Sequence, residues 1–118
     1  QLGIVDDQIG CPTYAQDLAR SVVCLLPRLL EPNSFSGIYH YCGNGECSWY
    51  DFAQVIFEKA RHRGFKVPDH ITPIKTAAYP TPAMRPKYSS LNTDKFFNTF
   101  GIAAPDWKSG VDSVFSNI

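Results

Sequence analysis

Six apolar residues, Ala15, Leu18, Val22, Leu25, Leu26 and Leu29, recur at the i, i+3, i+7, i+10, i+11 and i+14 spacing of one helical stripe. The spacing predicts a helix that opens at Thr13 or Tyr14 and buries that stripe. Pro27 interrupts it. Without an N–H, and with its ring against the carbonyl four residues back, it is expected to kink the helix or end it near Leu26, leaving Arg28 to Leu30 as a loose last turn. Ahead of the helix, Leu2 to Val5 reads as a short strand. The polar turn Asp6-Asp-Gln8 and the loop Gly10-Cys-Pro-Thr13 follow.

Residues 31–37, rich in Pro, Asn, Ser and Gly, predict a surface turn, and Ile38 to Cys42 reads as a strand. Ser48, with Asp51 three residues on, approximates a capping box for a second helix carrying Trp49, Phe52, Ala53, Ile56 and Ala60 on one face. Arg61, His62 and Arg63 suit its negative pole, and Gly64 its C′ position. Ile71 to Ile74 contains Pro73, which fits an edge strand or the mouth of a loop. Tyr79 to Pro86 holds Pro80, Pro82 and Pro86 and predicts a stiff extended loop, with a short strand over Tyr88 to Leu91 after it. Asn92 or Thr93 caps a short helix from Asp94 to Phe100 with Phe96, Phe97 and Phe100 inward, and Gly101 stops it. A last helix from Pro105 is expected to bury Trp107, Val111, Val114 and Phe115. The order is that of a small mixed α/β domain of three or four short strands and about four helices, with polar loops converging on one edge.

Composition narrows the function classes. A chain of 118 residues with 44% hydrophobic and 14% aromatic residues is expected to form a single domain, residues 1–118. Eleven basic against eleven acidic residues leave no net charge, so neither nucleic acid nor an anionic membrane is expected as partner. No apolar run reaches the roughly 18 residues of a transmembrane span, and the stretch from Gln1 to Val5 lacks a basic signal-peptide region. Cys11, Cys24, Cys42 and Cys47 lack paired zinc spacing and read as reduced structural thiols, and His40, His62 and His70 are scattered.

The candidate chemistry lies in the loops. Arg85 opens the stretch R-P-x-x-S-x-L directly after the proline-rich loop. A guanidinium beside such a loop suits a diphosphate, because its fork meets two oxygens at once and keeps its charge at any relevant pH. Asp7, Gln8 and Thr13 are further candidates for contact with the ligand, being polar and lying between a strand and a helix where ligand contacts fall. Helix capping or turn hydrogen bonding accounts for each of the three equally well. Gly43-x-Gly45-x-x-Ser48 between a strand and a helix imitates a dinucleotide fingerprint. Glu46, however, sets a carboxylate where pyrophosphate would meet free N–H groups, so a tight turn into a capped helix is the expected structure.

In order along the chain, D-Q-x-G-x-P-T from Asp7, the segment Gly37 to Gly43 before a helix, and A-Y-P-T-P-A-x-R-P from Ala78 resemble the C-terminal, substrate-binding part of the dTDP-4-dehydrorhamnose reductases. These are extended members of the short-chain dehydrogenase/reductase superfamily, and the resemblance covers nearly the whole chain. It implies the substrate-binding half of a cytoplasmic reductase that converts dTDP-4-dehydro-L-rhamnose to dTDP-L-rhamnose, a precursor of cell-surface polysaccharide. Hydride would come from NADPH or NADH, bound by an N-terminal Rossmann domain, and the proton from a tyrosine in a Y-x-x-x-K motif. Four residues beyond the six tyrosines stand Leu18, Gly43, Gly45, Gln54, Ala83 and Asn92, so no catalytic residue is expected in this chain. The implied partners are the dTDP-sugar, the Rossmann domain and, in some members, a second copy in a magnesium-bridged homodimer built on glutamates. Gln16 stands where one such glutamate aligns, and an amide is a weaker ligand for a hard cation, so no metal is carried over. An alternative of the same fold is a non-catalytic regulatory subunit, similar to the β subunit of methionine adenosyltransferase.

Overall fold

A computed structural model describes residues 2–31 and 35–118. The expected turn over 31–37 therefore lies partly outside the described residues. The order is β1 (Leu2–Val5), β2 (Ile9–Gly10), α1 (Ala15–Leu29), β3 (Cys47–Ser48), α2 (Trp49–His62), β4 (Ile71–Ile74), a 3-10 turn (Thr76–Ala78), α3 (Asp94–Phe100) and α4 (Trp107–Ser116). This is the mixed α/β class that the hydrophobic pattern predicts.

The strands form two small ladders. β1 runs parallel to β4 with Leu2 opposite Ile71 and Val5 opposite Ile74, and Pro73 is tolerated because the sheet has two strands and each is an edge. β2 pairs antiparallel with β3, Ile9 opposite Ser48 and Gly10 opposite Cys47, and its other side bridges in parallel to Tyr88. The strand expected over Tyr88–Leu91 is reduced to this one bridge. Ile38–Cys42 forms no ladder. It packs against α3 through side chains instead: Tyr39 meets the Phe100 ring at 4.9 Å and Tyr41 meets Phe96 at 5.4 Å, Lys95 donates to the Ile38 carbonyl at 2.9 Å, and Phe35 just upstream adds a contact to Phe100 at 5.5 Å.

α2 obeys its local code at both ends. Asp51 N–H donates to Ser48 Oγ and Ser48 N–H to Asp51 Oδ2, both at 3.0 Å, which is the reciprocal capping box. At the other end Gly64 sits at φ 78°, its N–H on the Arg61 carbonyl and the Phe65 N–H on the Ala60 carbonyl. That double bond closes a Schellman motif, and the left-handed turn it needs explains a glycine there. Cys47, Trp107 and Val111 form a buried cluster with Phe52, Val55, Ile56 and Phe115 packed around it. Val114 and Phe97, expected inward, are about half exposed, at 45% and 50%.

α1 departs most from expectation. It runs through Pro27 to Leu29, and Arg28 donates to the Phe100 carbonyl at 2.8 Å, tying this end of the helix to the orphan carbonyls at the end of α3. The stripe expected to be buried is not. Leu18, Val22, Leu26 and Leu29 are 43–52% exposed. The side turned to the molecule instead carries Tyr14, Asp17, Ser21 and Leu25, with Ser21 buried and its hydroxyl on the Asp17 carbonyl at 2.9 Å. The molecule is elongated, 56 × 34 × 21 Å, with a radius of gyration of 17.3 Å; a compact chain of this length has about 13–14 Å.

Candidate ligand-binding site

β2 is the hinge of the site, because it holds two segments distant in sequence. β3, leading into α2, pairs with one side of it. On the other side, Ile9 N–H donates to the Lys87 carbonyl at 2.8 Å and Ser89 N–H to the Ile9 carbonyl at 2.9 Å. Tyr88 then donates its hydroxyl to the Glu46 carboxylate, closing the arrangement across β2. That bond, with help from Ser90, holds the Glu46 carboxyl below its ordinary value, and Glu46 in turn raises the Tyr88 phenol. A cavity of about 440 Å³ opens between the two segments. Its size is within the range usual for small-molecule sites.

Arg85, Gln8 and Thr13 all line this cavity, as do Ser48, Trp49 and Phe52. Arg85 is exposed and has no hydrogen-bond or ion-pair partner among the described residues. Gln8 donates its amide N–H to Thr76 Oγ1 at 3.1 Å, which leaves its carbonyl oxygen uncommitted. Thr13 is more constrained: its hydroxyl donates to the Cys11 carbonyl at 3.1 Å and accepts from Gly43 N–H at 3.0 Å. One acceptor site on the oxygen remains.

Asp7 is not on the cavity wall. Its Oδ1 accepts from Thr76 N–H at 2.8 Å and Thr76 Oγ1 at 2.7 Å, and these bonds hold its carboxyl below the usual carboxylate value. Beside it Lys75 Nζ approaches Asp6 at 2.9 and 3.1 Å, which raises the Lys75 ammonium. Asp7 thus makes a turn hydrogen bond of the kind its loop position allows. The bond latches the β1–β2 turn to the 3-10 turn that begins the proline-rich loop, and so fixes one end of the segment carrying Arg85.

Gly43-Asn-Gly45 is packed, not open. A β-carbon at Gly43 would lie 2.1 Å from the Pro12 carbonyl oxygen, and one at Gly45, where φ is 87°, would lie 3.2 Å from the Trp107 ring. The glycines serve close packing, and the N–H groups of Ser48 and Asp51 at the start of α2 are taken by the capping box, so the geometry does not fit a dinucleotide pyrophosphate. Behind the site, burial pushes the Cys47 thiol up to about 11 and raises Cys42 as well. All four cysteines are free thiols, and no group of three metal-ligating side chains converges among the described residues. Among them, no helix is long and apolar enough to cross a membrane.

Two features of the site escaped sequence reasoning. The spacing sets Trp49 on the apolar face of α2 and does not show that it stands on the cavity wall, and the Glu46–Tyr88 bond was not foreseen. The second had no signal, because an exposed carboxylate such as Glu46 is satisfied by water and its partner Tyr88 lies 42 residues away.

The model of the RmlD substrate binding domain matches residues 1–118 without remainder. The chain belongs to that family. A dTDP-4-dehydrorhamnose reductase of Escherichia coli K12 is 37% identical over 119 residues, covering 100% of this chain and 40% of its own length. The reductase of Sinorhizobium fredii is 42% identical over 113 residues, 92% of this chain and 37% of its own. Among solved structures, a Clostridium acetobutylicum dTDP-4-dehydrorhamnose reductase superposes with a TM-score of 0.83 at 37% identity, over 98% of this chain and 38% of its own. One from Bacillus anthracis, in complex with NADP, gives 0.81 at 32% identity over 99% and 38%. The chain thus spans about 40% of the curated relatives it matches. The RmlD match and these extended-type reductase neighbours agree with the family and fold class expected from the loop motifs.

Proposed function

We propose that residues 1–118 act as one substrate-binding domain that holds a dTDP-sugar for reduction of dTDP-4-dehydro-L-rhamnose to dTDP-L-rhamnose. The single observation that carries the reading is Arg85, an unpartnered guanidinium on the wall of the cavity between β2 and α2. A cation with no partner among the described residues is free to take one from the ligand, and its fork matches a diphosphate. Gln8 Oε1 and the remaining acceptor site of Thr13 would receive sugar hydroxyls, while Asp7 supports the loop from outside.

The hydride chemistry belongs to a partner part. A dinucleotide-binding Rossmann domain would hold NADPH or NADH and supply the proton, and this chain's role is to bind and orient the sugar nucleotide. The NADP complex of the Bacillus anthracis relative supports that cofactor class. A Bacillus subtilis relative, 35% identical over 94% of this chain, is a spore coat polysaccharide biosynthesis protein, which supports a product destined for polysaccharide. The cytoplasm, where nucleotide sugars and NADPH meet, is the proposed compartment, and a homodimer the proposed assembly.

The test is affinity for dTDP-sugar in the domain joined to its dinucleotide-binding part. Arg85→Ala should remove a charge-assisted contact of roughly 1.5–3 kcal/mol, about ten- to a hundredfold in Kd. Arg85→Lys should recover only part, since a point charge cannot fork. Wild-type affinity in Arg85→Ala would return this arginine to an ordinary surface role.

A further inference from the structure

Two aromatic side chains reach the wall of the Arg85 cavity, Trp49 and Phe52. Phe52 is wedged edge-on against the buried Trp107, with ring centres 5.6 Å apart. Trp49 leans on Phe52 at 6.4 Å and is itself 58% exposed. The indole is therefore braced from the core outward, on the first turn of a capped helix, with more than half its surface open to the cavity side and solvent. An open apolar ring is unfavourable in water, and a flat apolar ligand covering it recovers that loss.

A ligand that carries both a diphosphate and a planar group would satisfy the forked cation and the flat ring of one cavity together. We propose that Trp49 is the stacking platform for the nucleobase of a nucleoside-diphosphate ligand, an inference that rests on the reading of Arg85 as the diphosphate clamp. Base stacking on aromatic rings tolerates any base, because every base presents a π face. Trp49 thus supplies affinity, and the choice of base is left to hydrogen-bonding groups elsewhere in the cavity.

The experiment measures Kd by calorimetry for thymidine 5′-diphosphate, inorganic pyrophosphate and a dTDP-sugar, in the domain joined to its dinucleotide-binding part. Trp49→Ala should weaken thymidine 5′-diphosphate by about ten- to a hundredfold and leave pyrophosphate unchanged, while Trp49→Phe, which keeps a ring, should retain most of the affinity. Arg85→Ala should weaken both probes. If Arg85→Ala spares pyrophosphate while Trp49→Ala still loses the nucleotide selectively, the platform stands and the clamp fails. If Trp49→Ala binds thymidine 5′-diphosphate as wild type, or weakens only the dTDP-sugar, the base does not stack on Trp49 and the inference is wrong. Equal loss for all probes in Trp49→Phe would also overturn it, since that marks a collapsed cavity wall and not a lost stacking face.

Discussion

Alanine at Gly43 would put its β-carbon 2.1 Å from the carbonyl oxygen of Pro12. Carbon and oxygen approach no closer than about 3.3 Å even in weak C–H···O contacts, so one of the two segments must move by more than an ångström. Neither can do so cheaply. The obstructing atom is backbone, and Gly43 N–H is bonded to Thr13 Oγ1, so the same shift strains the Pro12–Thr13 side of the ligand cavity. Overpacking of this kind costs about 3 kcal/mol or more when the neighbour cannot yield. Gly64→Ala is the matched control: Gly64 has φ 78° and nothing within 4 Å of a β-carbon, so only the left-handed backbone penalty of about 1 kcal/mol applies. Urea unfolding followed by far-UV circular dichroism separates the two. At a slope of about 2 kcal/mol per molar urea, the difference amounts to about 1 M in midpoint. Equal midpoints for the two variants would refute the claim that the glycine turn exists for close packing.

Two further outcomes are expected. Because bonds from Thr76 lower the Asp7 carboxyl below its ordinary 3.8, its ionised form stabilises the fold above that value and the contribution is lost as pH falls through the lowered folded value; Asp7→Asn should flatten the acid limb of a stability-versus-pH curve, and an unchanged limb contradicts the latch. Thiol titration of protein purified without reductant should count four thiols after unfolding. In the folded state Cys24 should react first and Cys47 last, since Cys24 is exposed while burial holds Cys47 near 11.

The legible parts of the fold are those set by neighbours in sequence. Ser48 and Asp51 specify the start of α2, and Gly64 its end, through bonds within a few residues, and both ends form as read. α1 shows the limit. Its apolar stripe is plain in the sequence, but periodicity reports only that a face is apolar, not what covers it, and among the described residues no element buries Leu18, Val22, Leu26 and Leu29. Ile38–Cys42 misled for a related reason: Tyr39 and Tyr41 alternate like a strand, yet their rings are claimed by Phe96 and Phe100, and the backbone finds no ladder partner. At the site, Arg85, Gln8 and Thr13 are readable as loop polar residues and do line one cavity. Trp49 is not readable as a wall residue, because its heptad position on α2 matches that of core residues, and its exposure depends on how β3 turns into the helix.

The central claim is that Arg85 grips a diphosphate, and a crystal structure of the domain joined to its dinucleotide-binding part, with thymidine 5′-diphosphate bound, tests it most directly. The account predicts the Arg85 guanidinium about 2.7–2.9 Å from two phosphate oxygens, in a forked geometry. A diphosphate held by other groups, with Arg85 turned to solvent, would contradict it.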